Sequence, residues 1–170
     1  MNKPAELKLD TVPCWIGGKP VVPAGRMGEV YNPATGQVTK RVPYCDAAAI
    51  DEYEDYDLIT SFDAIHDQAK PASMLAGISQ ALRPDGAYLV QDIAGSSHLE
   101  KNIDHLVSPF LYTISLTHCM TVSLAYGGEG LGAMWGEEKA VEMMKTAGFK
   151  EISVNRLEHD FMNTYYVATK

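Results

Sequence analysis

The chain has 170 residues, of which 14 are Lys or Arg and 22 are Asp or Glu, so its formal charge is −8. That length suits one domain, and the acidic balance argues against a nucleic-acid partner, which needs clustered basic side chains. The cysteines, Cys14, Cys45 and Cys119, lack metal-ligand spacing, and the first twenty residues hold no apolar run long enough for a signal peptide or membrane span. We therefore expect a soluble cytoplasmic protein with no membrane segment and no metal.

Proline content and charge change near residue 50. Residues 1–50 hold six of the nine prolines and six basic against four acidic residues, a charge of +2. Residues 51–170 hold eighteen acidic against eight basic residues, a charge of −10. This break predicts two segments, residues 1–50 and residues 51–170.

The first segment is predicted to be a short β-rich, proline-rich arm. Its turn signals are Gly17-Gly18, Pro23-Ala24-Gly25 and Asn32-Pro33-Ala34-Thr35-Gly36. Between them lie β-type fragments at residues 15–16, 20–22, 29–31 and 38–42. The prolines exclude a long helix and favour edge strands or hairpins.

The second segment alternates strand and helix, which predicts an α/β fold. We expect strands at 57–62 and 87–93, joined by a helix that opens at Pro71, and this order predicts a parallel βαβ unit. A helix at 137–146 and strands at 149–157 and 164–169 follow. Residues 110–126 fit both strand alternation and a helical stripe, so periodicity leaves them open.

Polar side chains follow both strands of the predicted βαβ unit. Asp63, His66 and Asp67 follow the first strand and Asp92 ends the second. Ligands of open parallel sheets bind beyond the carboxyl ends of the strands. These residues are therefore candidates to bind a polar cofactor or to act as general base, with loop or helix-capping roles as the alternative.

Two further patterns are weaker. The glycine string at 128–132 is either a phosphate-binding turn or, more in keeping with its surroundings, a flexible lid. His118 and Cys119 are adjacent, and neighbours on a helix point about 100° apart, so a Cys–His nucleophile pair is not expected. Together with Tyr112 and Trp135, His118 is predicted either to line a substrate pocket or to pack in the core.

Residues 57–170 resemble the carboxyl-terminal half of class I S-adenosylmethionine-dependent methyltransferases. The residues that carry the likeness are Tyr56-Asp57-Leu58-Ile59, Leu82-Arg83-Pro84-Asp85-Gly86-Ala87-Tyr88-Leu89 and Lys145-Thr146-Ala147-Gly148-Phe149. The resemblance implies a partial Rossmann-like methyltransferase sheet and favours helix for residues 110–126. It also implies a small-molecule methyl acceptor.

The same resemblance assigns roles to individual residues. S-adenosylmethionine would contact Phe62, Asp63 and His66, with His66 and Asp67 as catalytic candidates. The substrate pocket would hold Asp92, Tyr112, His118 and Trp135. The sequence has no counterpart of the family's first three strands, which carry the glycine-rich cofactor loop and the ribose-binding acid. The main cofactor-binding half is therefore expected to be missing from this chain, as in a truncated or fused protein.

Residues 14–50 resemble a different family, the amino-terminal arm of aldehyde dehydrogenases of the methylmalonate-semialdehyde type. The likeness rests on Ile16-Gly17-Gly18-Lys19, on Val30-Tyr31-Asn32-Pro33-Ala34-Thr35-Gly36 and on Arg41-Val42-Pro43. In that family the arm holds no catalytic residues.

Three hypotheses follow for the whole chain. The first is a methyltransferase-like protein that acts on a small molecule when another chain restores the missing half. The second is a non-catalytic fusion or remnant, and the third is an aldehyde dehydrogenase fragment. Because the predicted strand at 57–62 would form a bare apolar edge, we also expect the arm or a second chain, as a homo-oligomer or complementing chain, to cover it.

Overall fold

The computed structural model describes residues 10–16, 19–44 and 56–170. The chain divides into two compact units, residues 1–53 and residues 54–170. Among the described residues there is no helix with the length and hydropathy needed to span a membrane.

The first unit consists of short strands. They are β1 (Asp10–Thr11), β2 (Cys14–Ile16), β3 (Lys19–Val21), β4 (Met27–Tyr31) and β5 (Val38–Pro43). A three-stranded sheet has the order β1-β5-β4, and β2 and β3 form a separate antiparallel pair. The β4–β5 turn is closed by Asn32, whose carbonyl accepts from the Gly36 N–H and whose side chain accepts from the Ala34 N–H. The strands agree with the predicted β-type fragments.

The second unit is a four-stranded mixed sheet with helices. Its elements are β6 (Tyr56–Phe62), α1 (Pro71–Ala81), β7 (Leu82–Ile93), a 3₁₀ turn (Leu99–Asn102), α2 (Ser108–Ile114), a π turn (Ser115–Cys119), α3 (Met120–Ala125), α4 (Gly136–Thr146), β8 (Glu151–Leu157) and β9 (Asp160–Thr169). The strand order is β6-β7-β9-β8. The β6–β7 pair is parallel, as the βαβ pattern predicts, and the other pairs are antiparallel.

The core of the second unit lies on one face of this sheet. Alternate residues of β7 and β9 point into it, and α1 and α4 supply their apolar sides. The largest buried side chains of this cluster are Tyr88, Tyr166, Phe149, Ile65, Leu75, Leu82 and Met144. Tyr88 and Phe149 stack with ring centroids 5.5 Å apart, and the Tyr88 hydroxyl is 2.7 Å from Ser61 Oγ. Burial raises the pKa of Tyr88 to about 12.

Residues 108–125 are helical, which decides between the two patterns that periodicity left open. A π turn, Ser115–Cys119, joins α2 to α3. The buried positions are Ser108, Leu111, Ser115, Cys119 and Ser123, and their spacing of three or four residues is a helical one. Tertiary packing along this stripe outweighs the strand-like alternation of large residues.

The strand β6 lies at one edge of the four-stranded sheet, and β7 is its neighbour in that sheet. Leu58 and Phe62 are exposed on it. Among the residues that the structure describes, the outer edge of β6 thus has no paired strand, and its covering by the arm or by a second chain stays a prediction.

Candidate functional site

The parallel pairing of β6 with β7 brings the predicted polar residues together at one end of the sheet. The β6 ladder ends where the Asp63 N–H donates to the Gln91 carbonyl, 2.8 Å away. Asp63 has φ 49°, the left-handed region that non-glycine residues other than Asn and Asp rarely adopt. This turn directs the chain so that His66 reaches the neighbouring strand.

His66 and Asp92 form a buried pair. Their side chains are 2% and 1% exposed, and His66 Nδ1 lies 2.8 Å from Asp92 Oδ1. The same carboxylate oxygen accepts the Ile93 N–H at 2.8 Å, whereas Asp92 Oδ2 has no hydrogen-bond partner among the described residues. In the neutral ring, donation of the Nδ1–H to Asp92 Oδ1 leaves the lone pair on Nε2.

Two more carboxylates surround the same imidazole. Asp67 Oδ1 lies 3.4 Å from Nε2, and Asp63 Oδ1 lies 3.9 Å from Nδ1. Burial disfavours protonation of His66, but the Asp92 hydrogen bond and the three negative charges outweigh it, so the pKa of His66 is raised. Burial, with Asp92 and Asp67 in support, also raises the pKa of Asp63 despite the opposing His66.

Cys119 joins this cluster from the π turn. Its side chain is buried, and its pKa is raised to about 11, first by burial and then by the Asp67 carboxylate beside it. The neighbouring His118 is exposed. The expectation that adjacent His118 and Cys119 do not form a pair agrees with these positions, yet sequence reasoning missed that Cys119 meets His66, which is 53 positions away in the chain.

The remaining predicted site residues differ in their exposure. Phe62 and Asp63 are exposed enough to contact a ligand. Tyr112 accepts a hydrogen bond from Asn102 Nδ2 at 2.9 Å, and Trp135 is buried in the core of the unit. Asp92 and Trp135 are buried, Tyr112 is half-buried and His118 is exposed, and the substrate pocket that these four residues would form stays a prediction.

A cavity of about 500 Å³ lies elsewhere, beyond the carboxyl end of β7. Its lining includes the Ala94-Gly95-Ser96 backbone, Asn102, His105 and residues of the β8–β9 hairpin, and none of the four predicted pocket residues. Two ion pairs border it, Lys101 with Glu138 at 3.0 Å and Arg156 with Glu137. The cations of this cavity are thus already paired within the unit.

The glycine string is attached to the body of the unit. The Glu129 N–H donates to the Ala69 carbonyl, and the N–H groups of Gly128 and Gly130 donate to the Ser123 carbonyl and Oγ. These bonds do not fit the predicted flexible lid, and they use N–H groups that a phosphate would need. The glycine string differs from the predicted lid because its N–H groups are hydrogen-bonded to Ser123 of α3 and to Ala69.

The fold of the chain is similar to that of solved methyltransferases. PigF, solved with SAH, is 17% identical to this chain with a TM-score of 0.51, and the matched region covers 76% of this chain and 39% of the PigF chain. An O-methyltransferase family protein from Burkholderia thailandensis is 12% identical, with coverage of 78% and 36% and a TM-score of 0.52. A candidate O-methyltransferase from Nostoc punctiforme is 26% identical, with coverage of 69% and 32% and a TM-score of 0.49.

These comparisons establish a methyltransferase-like fold for much of the chain. The chain spans roughly a third of the length of the structures that it matches. No protein-family model and no curated protein matches the sequence.

Proposed function

We propose that residues 56–170 form the acceptor-side part of an S-adenosylmethionine-dependent methyltransferase-like site that acts on a small molecule. The observation that carries this proposal is the buried His66–Asp92 pair at the carboxyl ends of the adjacent parallel strands β6 and β7. Ligands of open parallel sheets bind at this end. The fold shared with PigF, which was solved with SAH, and with an O-methyltransferase family protein adds support.

The reaction in question moves a methyl group from a sulfonium sulfur to an acceptor atom. The sulfur–carbon bond breaks with its electron pair on sulfur, the new bond forms in line with it, and the acceptor loses a proton. The rate depends on holding acceptor and sulfonium in near-attack geometry. His66 and Asp67 are the catalytic candidates here, and Phe62 and Asp63 present the exposed surface proposed for the cofactor.

The proposal includes a further polypeptide segment. The glycine-rich loop that holds the methionine end in the family has no counterpart in the 170 residues, and β6 is a terminal strand of its sheet. A strand of the further segment would pair with β6. Slow hydrogen exchange at residues 58–61 supports such pairing, and fast exchange in a protein that light scattering shows to be monomeric overturns it.

Calorimetric titration of the whole chain with S-adenosylmethionine tests the cofactor assignment. Saturable binding at or below about 100 μM, a binding free energy of about −5.5 kcal/mol, supports it, and no heat at millimolar ligand overturns it for the isolated chain. Phe62→Ala and Asp63→Ala should weaken binding about tenfold or more. Glu100→Ala, an exposed acid on the 3₁₀ turn, is the control and should leave binding unchanged.

A further inference from the structure

The cluster around His66 carries more negative charge than its own residues neutralise. The carboxylates of Asp63, Asp67 and Asp92 make ion pairs within the described part of the chain with His66 alone. Asp92 Oδ2 is a buried oxygen with no hydrogen-bond partner there, and the buried Asp67 Oδ1 has only the long ion pair with His66 Nε2, at 3.4 Å. Buried charges and polar atoms are costly unless they are paired or bind a metal ion. The cluster is therefore suited to a cation.

The ligand atoms have the types and positions that a transition-metal ion uses. A ring nitrogen of His66, a carboxylate oxygen of Asp67 and Cys119 Sγ lie within 4.8 Å of one another, and His66 Nε2 is 3.4 Å from Asp67 Oδ1. Tetrahedral zinc, with bonds of about 2.0–2.3 Å, requires ligand atoms about 3.4–3.8 Å apart. The His66–Asp67 edge already has this spacing, and side-chain movements of about 1 Å bring the sulfur to it.

The surroundings of the imidazole add a second argument. A metal-bound histidine usually donates its other N–H to a carboxylate, which fixes the ring and its tautomer. Asp92 stands in this position, 2.8 Å from Nδ1 and almost fully buried. Nε2 is thus turned toward Asp67 with its lone pair available.

We propose that His66 Nε2, Asp67 Oδ1 and Cys119 Sγ bind a zinc ion, with Asp92 orienting the imidazole and a fourth position open to water or to a ligand. Three protein ligands and one open position are the arrangement of catalytic rather than structural zinc sites. Binding of the ion does not require the proposed cofactor contacts of Phe62 and Asp63, but it makes His66 and Asp67 ligands of the ion in place of proton acceptors. Any contact between the open position and a methyl acceptor rests on the proposed function.

This site escaped sequence analysis for a definable reason. Two ligands are adjacent, at positions 66 and 67, and the third is at position 119, so no regular metal-ligand spacing appears in the sequence. The prediction of no metal site rested on such spacings. The π turn that faces Cys119 inward is the element that brings the third ligand to the cluster.

Titration of the whole chain with Co²⁺, after treatment with a chelator and reductant, tests the proposal. We expect one equivalent of Co²⁺ to give a near-ultraviolet thiolate–cobalt charge-transfer band with visible bands of tetrahedral intensity, and Zn²⁺ to abolish them. Cys119→Ser should remove the thiolate band, and Asp92→Asn should weaken binding about 10- to 100-fold. The matched control, Cys14→Ser with Cys45→Ser, should retain the band.

Absence of a thiolate band in the wild-type protein overturns the proposal, as does a band that survives in Cys119→Ser or disappears in the control. A second measurement is thermal unfolding: Zn²⁺ should raise the Tm of the wild type and leave that of Cys119→Ser unchanged, and equal shifts overturn the proposal. The cobalt titration needs no S-adenosylmethionine, and the calorimetric titration is run on metal-free protein. Failure of the zinc-site proposal can therefore be distinguished from failure of the proposed S-adenosylmethionine binding.

Discussion

The two units of this chain are stabilised by different interactions within each unit. Among the described residues of the first unit, Gly28 and Pro43 are the buried ones, and Trp15 is 73% exposed. The second unit buries a continuous apolar cluster that includes Tyr88 and Phe149. Strand pairing without an apolar face is marginal in water, whereas a buried cluster stabilises a sheet directly. Contacts within the second unit should therefore dominate the measured stability.

The largest expected contrast is between one aromatic residue of each unit. Phe149→Ala removes a ring stacked on Tyr88 in the core, and large-to-small changes at such positions cost about 3–5 kcal/mol. Trp15→Ala removes an exposed side chain and should change the free energy of unfolding by less than about 0.5 kcal/mol. Urea unfolding followed by far-ultraviolet circular dichroism measures both. Similar losses for the two variants would show that the first unit is not the weaker one.

Two glycines with positive φ, one in each unit, allow the cost of backbone strain to be compared with the cost of an added steric clash. Gly36 in the first unit has φ 67° and open space where a Cβ would lie, whereas Gly136 has φ 79° and its Cβ would lie 2.1 Å from the Ser97 nitrogen. Gly36→Ala should cost about 1–2 kcal/mol, the penalty of a left-handed residue. Gly136→Ala adds a clash with backbone that cannot move freely and should cost about 3 kcal/mol or more. Thermal unfolding of both variants gives the difference, and equal Tm shifts would mean that the Ser97 segment yields.

The comparison also marks what could be predicted from the sequence. The strand at 57–62, the helix from Pro71 and the strand at 87–93 carry local signals, namely a proline at a first helical turn and apolar runs bounded by turns, and the structure has them as β6, α1 and β7. Residues 110–126 carry two periodicities at once, so their local signal is ambiguous. The packing of Leu111 and Cys119 against the rest of the unit decides for a helix.

Some residues of the candidate site could likewise be predicted from local sequence signals, and others could not. Asp63, His66, Asp67 and Asp92 could be placed together because the carboxyl ends of parallel neighbouring strands meet. Cys119 could not, since packing between segments distant in sequence decides which side of residues 108–125 faces the core. The hydrogen bond between Tyr112 and Asn102 and the burial of Trp135 in the core likewise carry no local signal, because the core contacts join segments distant in sequence.

Backbone strain near the His66 cluster should give a smaller effect than Phe149→Ala or Gly136→Ala. Asp63 tolerates φ 49° because short polar side chains adopt the left-handed region at low cost. Asp63→Val places a β-branched residue there and should lower stability by about 1–2 kcal/mol. Asp63→Asn keeps the conformational tolerance and should stay within about 0.5 kcal/mol of the wild type. If the two variants unfold at the same urea concentration, the turn does not hold this residue in the left-handed region.

The smallest effect should come from Glu138, the acid of the polar network at the start of α4. Its carboxylate accepts hydrogen bonds from the Ser97 N–H, Ser96 Oγ and Lys101 Nζ, at 2.8–3.0 Å, and the Ser97 N–H above all holds its pKa well below the ordinary 4.5. A depressed folded-state pKa means that this stabilisation is complete above about pH 5 and is lost as the pH falls below 4.5. The Tm difference between wild type and Glu138→Gln should therefore be constant from pH 5 to 7 and shrink toward pH 3.

Because the Glu138 side chain is 42% exposed, this Tm difference should be modest and should decrease with salt. Ser96→Ala removes one of the three donors and should reproduce part of it, whereas a Tm difference that grows on acidification would reverse the sign and exclude this network as the cause.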